Sequence, residues 1–120
     1  MRVLVCGGRD YVDREALAAC LADLRQARGI TVLIAGGARG ADTMAEEWAL
    51  AQRIPCEVFM ADWEGLGPKA GPIRNQRMLD EGKPDLVVAF PGGRGTADMV
   101  RRAREAGVEV IEIAGRTGDP

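Results

Sequence analysis

Apolar residues follow two alternating rhythms along the chain. Short runs, RVLVC (2–6), ITVLIA (30–35), CEVFM (56–60), DLVVAF (85–90) and VEVIEI (108–113), show little polar alternation, as strands do when both sheet faces are covered. Between them the apolar positions take helical spacing. Leu17, Cys20, Leu21 and Leu24 fall at i, i+3, i+4 and i+7, and Met44, Trp48 and Ala51 share one face of a second helix. Asp13 is placed to cap the first helix, Gly29 closes it after Arg25 and Arg28, and Pro55 stops the second. Residues 61–71, ADWEGLGPKAG, read as irregular, with Pro72 as the first residue of a third helix that runs to about Glu81. A fourth helix is predicted from about Thr96 to Ala106.

Strands alternating with helices predict an α/β fold: a three-layer, Rossmann-like sandwich around a five-stranded parallel sheet. The connection after the third strand is the only long one before its helix. That is expected of a chain returning from the sheet edge past the centre, and it favours the strand order 3-2-1-4-5. The expected organisation is one domain over residues 1–114 and a flexible tail over 115–120. In such sheets ligands bind outside the carboxyl ends of the strands where the order reverses, here between strands one and four.

Composition narrows the class. No apolar run is long enough to span a membrane, and the N-terminus enters a strand directly, without a leader pattern. Cys6, Cys20 and Cys56 are odd in number, form no CxxC pair and sit among apolar neighbours, and histidine is absent. They read as reduced thiols of a cytoplasmic protein, with neither metal nor cofactor expected. A net charge of -2 argues against a generic nucleic-acid binder.

The expected carboxyl edge of the sheet carries the candidate chemistry. The first strand is followed by Gly7, Gly8, Arg9 and Asp10; the second by Gly36, Gly37, Arg39 and Asp42. Asp62, Trp63 and, further on, Arg74 follow the third; Gly92, Gly93, Arg94, Gly95, Thr96 and Asp98 follow the fourth. Glycine and a cation recur on this edge, whereas the loops on the other edge are short and lack paired glycines. Orphan N–H groups at helix starts bind anions, arginine adds bidentate contacts, and carboxylates can take ribose hydroxyls. The expected partner is therefore a small phosphorylated, nucleotide-like molecule.

Plainer readings stand beside each element. A GGxG turn can serve packing alone, Asp98 can complement a helix dipole from the first turn, and Asp42 can be an N-cap. Thr96 can cap its helix while its hydroxyl faces phosphate. Trp63 can be a packed anchor or a base-stacking platform. The spacings GxxxxGK[ST] and GxGxxG are both absent, and nothing suggests a nucleophilic triad.

GGARGAD (36–42), AGPIRNQRML (70–79) and FPGGRGTADM (90–99), with GGRD near the start, resemble the YspA-type, cpYpsA-related domain of the SLOG superfamily. The resemblance runs from Arg2 to about Ile113. It implies a Rossmann-like domain that binds nucleotides or their derivatives. The lonely-guy phosphoribohydrolases of that superfamily cleave the N-glycosidic bond of nucleoside monophosphates. Their PGGxGTxEE motif is similar to Pro91–Met99, which makes Gly92, Gly93, Gly95 and Thr96 the implied phosphate cradle. Asp98 and Met99 stand where the motif has its two glutamates. Their RKxxM element is similar to residues 74–78, with Arg74 as the matching arginine and Asn75 in place of lysine. Asp98 and Arg74 are thus the implied catalytic pair, and a homodimer is implied because lonely-guy enzymes assemble. The DNA-processing protein A family has a loop similar to GGARGAD and binds single-stranded DNA. A nucleotide-binding sensor is the reading adopted and an N-glycosidic hydrolase the alternative. A single-strand DNA module, poor in stacking aromatics, is the least supported.

Overall fold

The structure, a computed structural model, describes residues 1–114; the expected tail over 115–120 lies outside the described residues. Five strands form one sheet: β1 (Arg2–Cys6), β2 (Val32–Ala35), β3 (Cys56–Val58), β4 (Leu86–Ala89) and β5 (Glu109–Glu112). All pairings are parallel and the order is β3-β2-β1-β4-β5, with Val3 in register with Leu33 on one side and Leu86 on the other. The order expected from the one long connection is therefore the order found.

Strand alternation builds the two sides of the sheet. Val3 and Val5 of β1, Leu33 and Ala35 of β2 and Leu86 and Val88 of β4 pack against helices α1 (Arg14–Arg28) and α2 (Ala41–Ala51), through Leu17, Leu21, Ala41, Ala45 and Ala49. Leu4, Cys6, Ile34, Val87 and Ala89 face the opposite way. They pack against α4 (Ala70–Asp80) and α5 (Arg94–Glu105), through Met78, Leu79, Met99, Val100 and Ala103. All four residues of β4 are buried, as its uninterrupted apolar run predicts. Trp48 and Met44 are partly buried against the α1–α2 side. The edge strand β5 is protected by ion pairs from Arg28 to Glu109 and Arg104 to Glu112.

Helix starts differ from the sequence expectation, each for a local reason. Asp13 does cap α1, accepting from the Ala16 N–H at 3.1 Å, and Gly29 closes it. The stretch 61–69 is not irregular: it forms a one-turn helix, α3 (Trp63–Leu66), capped by Asp62, and then a 3-10 turn (Gly67–Lys69). That turn runs straight into α4, so the helix begins at Ala70 and Pro72 is its third residue. Proline loses nothing there, because first-turn N–H groups have no intrahelical acceptor. The helix after β4 begins at Arg94 rather than Thr96, with Gly93 at its N-cap. Several strand ends are one or two residues shorter than the apolar runs. Among the described residues, no helix is long and apolar enough to cross a membrane.

Candidate functional site

Three loops meet at Gly8. Its N–H donates to the Pro91 carbonyl at 2.9 Å, and its own carbonyl accepts from the Tyr11 and Ala41 N–H groups, both at 3.2 Å. The loops after β1, β2 and β4 are thereby joined, and the joint leaves no room for side chains. A Cβ at Gly7 would stand 2.6 Å from that of Ala41, and one at Gly92 would stand 2.2 Å from Thr96 Oγ1 and 2.7 Å from the Gly8 nitrogen. Gly40, at φ 81° and the N-cap of α2, would place a Cβ 2.3 Å from the Gly8 carbonyl oxygen. These glycines hold the loops together.

Gly93 and Gly95 are different. A Cβ on either meets no atom within 4 Å, and neither has a positive φ. Packing inside the protein asks for glycine at neither position; Gly95, inside the helix, costs about 1 kcal/mol relative to alanine, whereas Gly93 takes the N-cap, a position that glycine favours. Both lie at the start of α5, whose first bond runs from Ala97 N–H to the Gly93 carbonyl. The N–H groups of Arg94, Gly95 and Thr96 therefore face out of the helix end. Thr96 is not the cap: it is the third helical residue, with its hydroxyl against Gly92.

Asp98 correspondingly moves out of the first turn, so the dipole reading does not describe it. Its Oδ2 accepts from Asn75 Nδ2 at 3.0 Å and Arg102 Nε at 2.8 Å, and its Oδ1 accepts from Arg101 at 2.9 Å. Burial alone would raise its pKa, but the bonds from Asn75 and Arg102, the Arg102 charge and the Arg101 bond outweigh it, so the carboxyl lies below its ordinary range. Asn75, buried in α4, is the hub: its Nδ2 also donates to the Gly95 carbonyl at 3.2 Å, and its Oδ1 accepts from Arg74 Nε at 3.0 Å.

Arg74 continues this network across the site, donating from Nη1 to the Gly36 carbonyl. Gly36 makes room for it, since a Cβ there would stand 2.5 Å from Nη1. Asp42, buried at the second position of α2, accepts from the Ala38 N–H at 3.2 Å instead of capping its own helix. Burial pushes its pKa up, against the pull of the Ala38 and Gly36 N–H groups and of Arg74 and Arg9. Burial lowers the pKa of Arg74, Asp42 and Cys6 raise it, and Arg9 lowers it further.

These groups line an open cleft of about 1610 Å³ at the carboxyl ends of β1 and β4. Of the residues singled out from sequence, Gly7, Gly8, Arg9, Asp42, Arg74, Gly92, Gly93, Arg94, Gly95, Thr96 and Asp98 all line it. Gly36 stands behind Arg74, Gly37 packs on Met60, and exposed Arg39 contacts Asp10 at 3.5 Å; none of these three lines the cleft. Sequence reasoning gave Asn75 no role. Its signal was phase: it shares a helical face with Met78 and Leu79, where a polar residue must be satisfied internally. Trp63 also lines the cleft, with Arg9 over its ring at 5.2 Å from the centroid.

Charge is distributed unevenly. Arg2, Arg14, Arg28, Arg39, Arg77, Arg101, Arg102 and Arg104 each have a carboxylate within 4 Å. Among the described residues the arginines without such a partner are Arg9, Arg25, Arg53, Arg74 and Arg94, and three of them, Arg9, Arg74 and Arg94, line the cleft. Among the described residues no cluster of three or more Cys, Asp or Glu is arranged to hold a metal ion.

The model of the YspA, cpYpsA-related SLOG family matches residues 1–65. Gene 61 protein of Mycobacterium phage D29 is 42% identical over 120 residues, which cover 93% of this chain and 95% of that protein. Among solved structures, DNA processing protein A (DprA) from Streptococcus pneumoniae superposes with a TM-score of 0.78 at 21% identity, over 98% of this chain and 52% of that one. UDP-GlcNAc 2-epimerase from Neisseria meningitidis, bound to UDP-GlcNAc, superposes with a TM-score of 0.57 at 21% identity, over 99% of this chain and 34% of the epimerase. The chain thus spans about half the length of DprA, and at these identities both structures speak for the fold alone.

Proposed function

The chain belongs to the YspA, cpYpsA-related SLOG family, and from that premise we propose that its cleft binds a nucleotide or nucleotide-derived phosphorylated ligand. One observation carries the reading. Arg9, Arg74 and Arg94 have no ion-pair partner among the described residues, and they line the cleft beside the open N-terminal turn of α5. A phosphate there meets outward N–H groups, the positive end of a helix and guanidinium forks. Outside the cleft eight of the ten described arginines are already paired with carboxylates, which disfavours the single-strand DNA reading.

Binding without turnover is preferred to N-glycosidic hydrolysis because of how Asp98 is held. It stands where the lonely-guy motif has its first glutamate, yet both of its oxygens accept bonds from Asn75, Arg101 and Arg102. A carboxylate so engaged and so acidic is poorly suited to proton transfer. Hydrolysis remains the second reading through Asp42, whose buried carboxyl lies in the same cleft with a raised pKa.

The test is thermal shift and titration calorimetry with AMP, ribose 5-phosphate, adenosine and inorganic phosphate. A ligand at 100 times its Kd adds about 2.7 kcal/mol of stability. AMP and ribose 5-phosphate should stabilise the protein and adenosine should not. A shift with adenosine equal to that with AMP, or none with any phosphate ester, would sink the proposal. Chromatography of the same mixtures for free adenine decides between binding and hydrolysis.

A further inference from the structure

Trp63 is seated in a way its packing alone does not require. The indole is 46% exposed and lines the cleft, whereas Trp48 is partly buried against the core. Its benzo edge rests on Gly71 of α4, where a Cβ would stand 3.0 Å from Cη2. Gly71 lies inside the helix with an ordinary φ, so the space its missing side chain leaves is space for the indole. The ring is thus fixed along one edge while nearly half the residue stays open to the cleft.

The ring's neighbour is Arg9, exposed and without an ion pair among the described residues, 5.2 Å from the centroid. An exposed cation–π contact of this kind is weak and readily exchanged. The same guanidinium lies close enough to Asp42 and Arg74 for its charge to act on both. One exposed arginine therefore lies between an open aromatic wall and the charged floor of the cleft. A ligand that satisfies both has a flat π-system at one end and a phosphate at the other. At about 1610 Å³ the cleft is larger than the 300–1,000 Å³ typical of small-molecule sites, so the whole of such a ligand fits.

We propose that Trp63, seated on Gly71 and uncovered by Arg9, is the base-stacking subsite of this cleft, and that the ligand it selects is a purine nucleotide. The proposal rests on the phosphate reading above. The base replaces the Arg9 guanidinium on the indole, and Arg9 turns to the phosphate it approaches from the same side. Purines are favoured over pyrimidines because stacking grows with ring overlap.

Affinities for AMP, UMP and ribose 5-phosphate, measured alongside tryptophan fluorescence, test this. AMP should bind about tenfold or more tightly than ribose 5-phosphate, since stacking on an aromatic side chain is worth that much per base. UMP should fall between them, and AMP should quench the fluorescence where ribose 5-phosphate does not. In Trp63→Leu the AMP advantage and the quench should vanish while ribose 5-phosphate affinity stays the same; Trp63→Phe should keep most of the advantage. Gly71→Ala, which displaces the indole without removing it, should lower the AMP affinity alone. If ribose 5-phosphate binds as tightly as AMP, or Trp63→Leu keeps the preference, the stacking subsite is refuted and the phosphate site stands. UMP binding as tightly as AMP refutes the purine assignment. No binding by any of the three refutes the phosphate site and this proposal with it.

Discussion

Replacing Asp98 by alanine separates a structural clamp from a catalytic group. The substitution removes one acceptor from Asn75 Nδ2 and the ion pairs with Arg102 and Arg101. The Asn75 bond is the costly one, because the amide is buried at 4% exposure and would keep only the Gly95 carbonyl. A hydrogen bond to a charged group is worth about 1.5–3 kcal/mol. The Arg101 pair is over half exposed on the arginine side and adds little; the Arg102 pair, with side chains 25% and 19% exposed, adds at most about 1 kcal/mol. The sum is about 1.5–4 kcal/mol, or roughly 6–16 °C in Tm at about 4 °C per kcal/mol for a domain of this size. The pH dependence carries a sign. The folded pKa of Asp98 lies below its unfolded value, so its contribution is fully present above the unfolded pKa and is lost as pH falls through the folded one. Asp42 has the opposite sign, its raised folded pKa giving a contribution that is lost as pH rises through it. The wild type and Asp98→Ala should therefore be compared as a difference of melting curves, which cancels Asp42. That difference should be flat at neutral pH and shrink below about pH 4. An Asp98→Ala protein that melts within a degree of the wild type at pH 7, or a gap that widens on acidification, refutes the clamp.

The two kinds of glycine should separate experimentally. Gly95→Ala should raise the stability of the ligand-free protein, by up to about 1 kcal/mol as helix propensity dictates, while phosphate-ester affinity falls. Gly92→Ala should destabilise by roughly 1–3 kcal/mol, because its Cβ has no place to go beside Thr96 and Gly8; chemical denaturation reads both. Arg74→Met keeps the aliphatic stem but removes the bond to Gly36 and the charge facing Asp42. It should cost ribose 5-phosphate about tenfold or more in calorimetric affinity, given the worth of a charge-assisted bond. Burial, with the charges of Asp42 and Glu112 adding to it, pushes the Cys6 thiol up to about 12. In the native protein at pH 8 Cys6 should label with iodoacetamide far more slowly than in denaturant, read by mass spectrometry.

What was legible in the sequence and what was not divides along a physical line. The strands and their order could be read because apolar runs report burial on both faces, and one long connection reports a return past the sheet centre. The cleft could be read because glycine and arginine recur after successive strands that end on one edge. The division of labour among those residues could not. Gly92 and Gly93 are adjacent and chemically identical, and only the tertiary approach of Gly8 and Thr96 makes the first a packing glycine and leaves the second open. Arg39 matches its neighbours in sequence, yet it sits on the surface against Asp10. Helix starts were misread at Ala70 and Arg94 because glycine and lysine near them signal a loop, while the backbone there is already helical or one residue from it.

Net charge is a blunt guide for a related reason. A total of -2 argues against a generic nucleic-acid binder but says nothing of one cleft, because the total counts charges that cancel locally. On the outer surface Arg28 meets Glu109, Arg104 meets Glu112 and Arg77 meets Glu81, so each pair contributes almost nothing to the field beyond a Debye length. Inside the cleft, Arg9 and Arg74 act on each other and on one buried carboxylate, Asp42. Asp98 is taken up by arginines of its own helix, Arg101 and Arg102, and does not neutralise Arg94 or Arg9. The cleft therefore holds three arginines without an ion-pair partner among the described residues, within a chain that is formally negative. A phosphate ester that binds there completes the ion-pairing already complete for most arginines elsewhere, and its affinity should fall with added salt less steeply than a surface contact would, because the floor that holds it is partly buried.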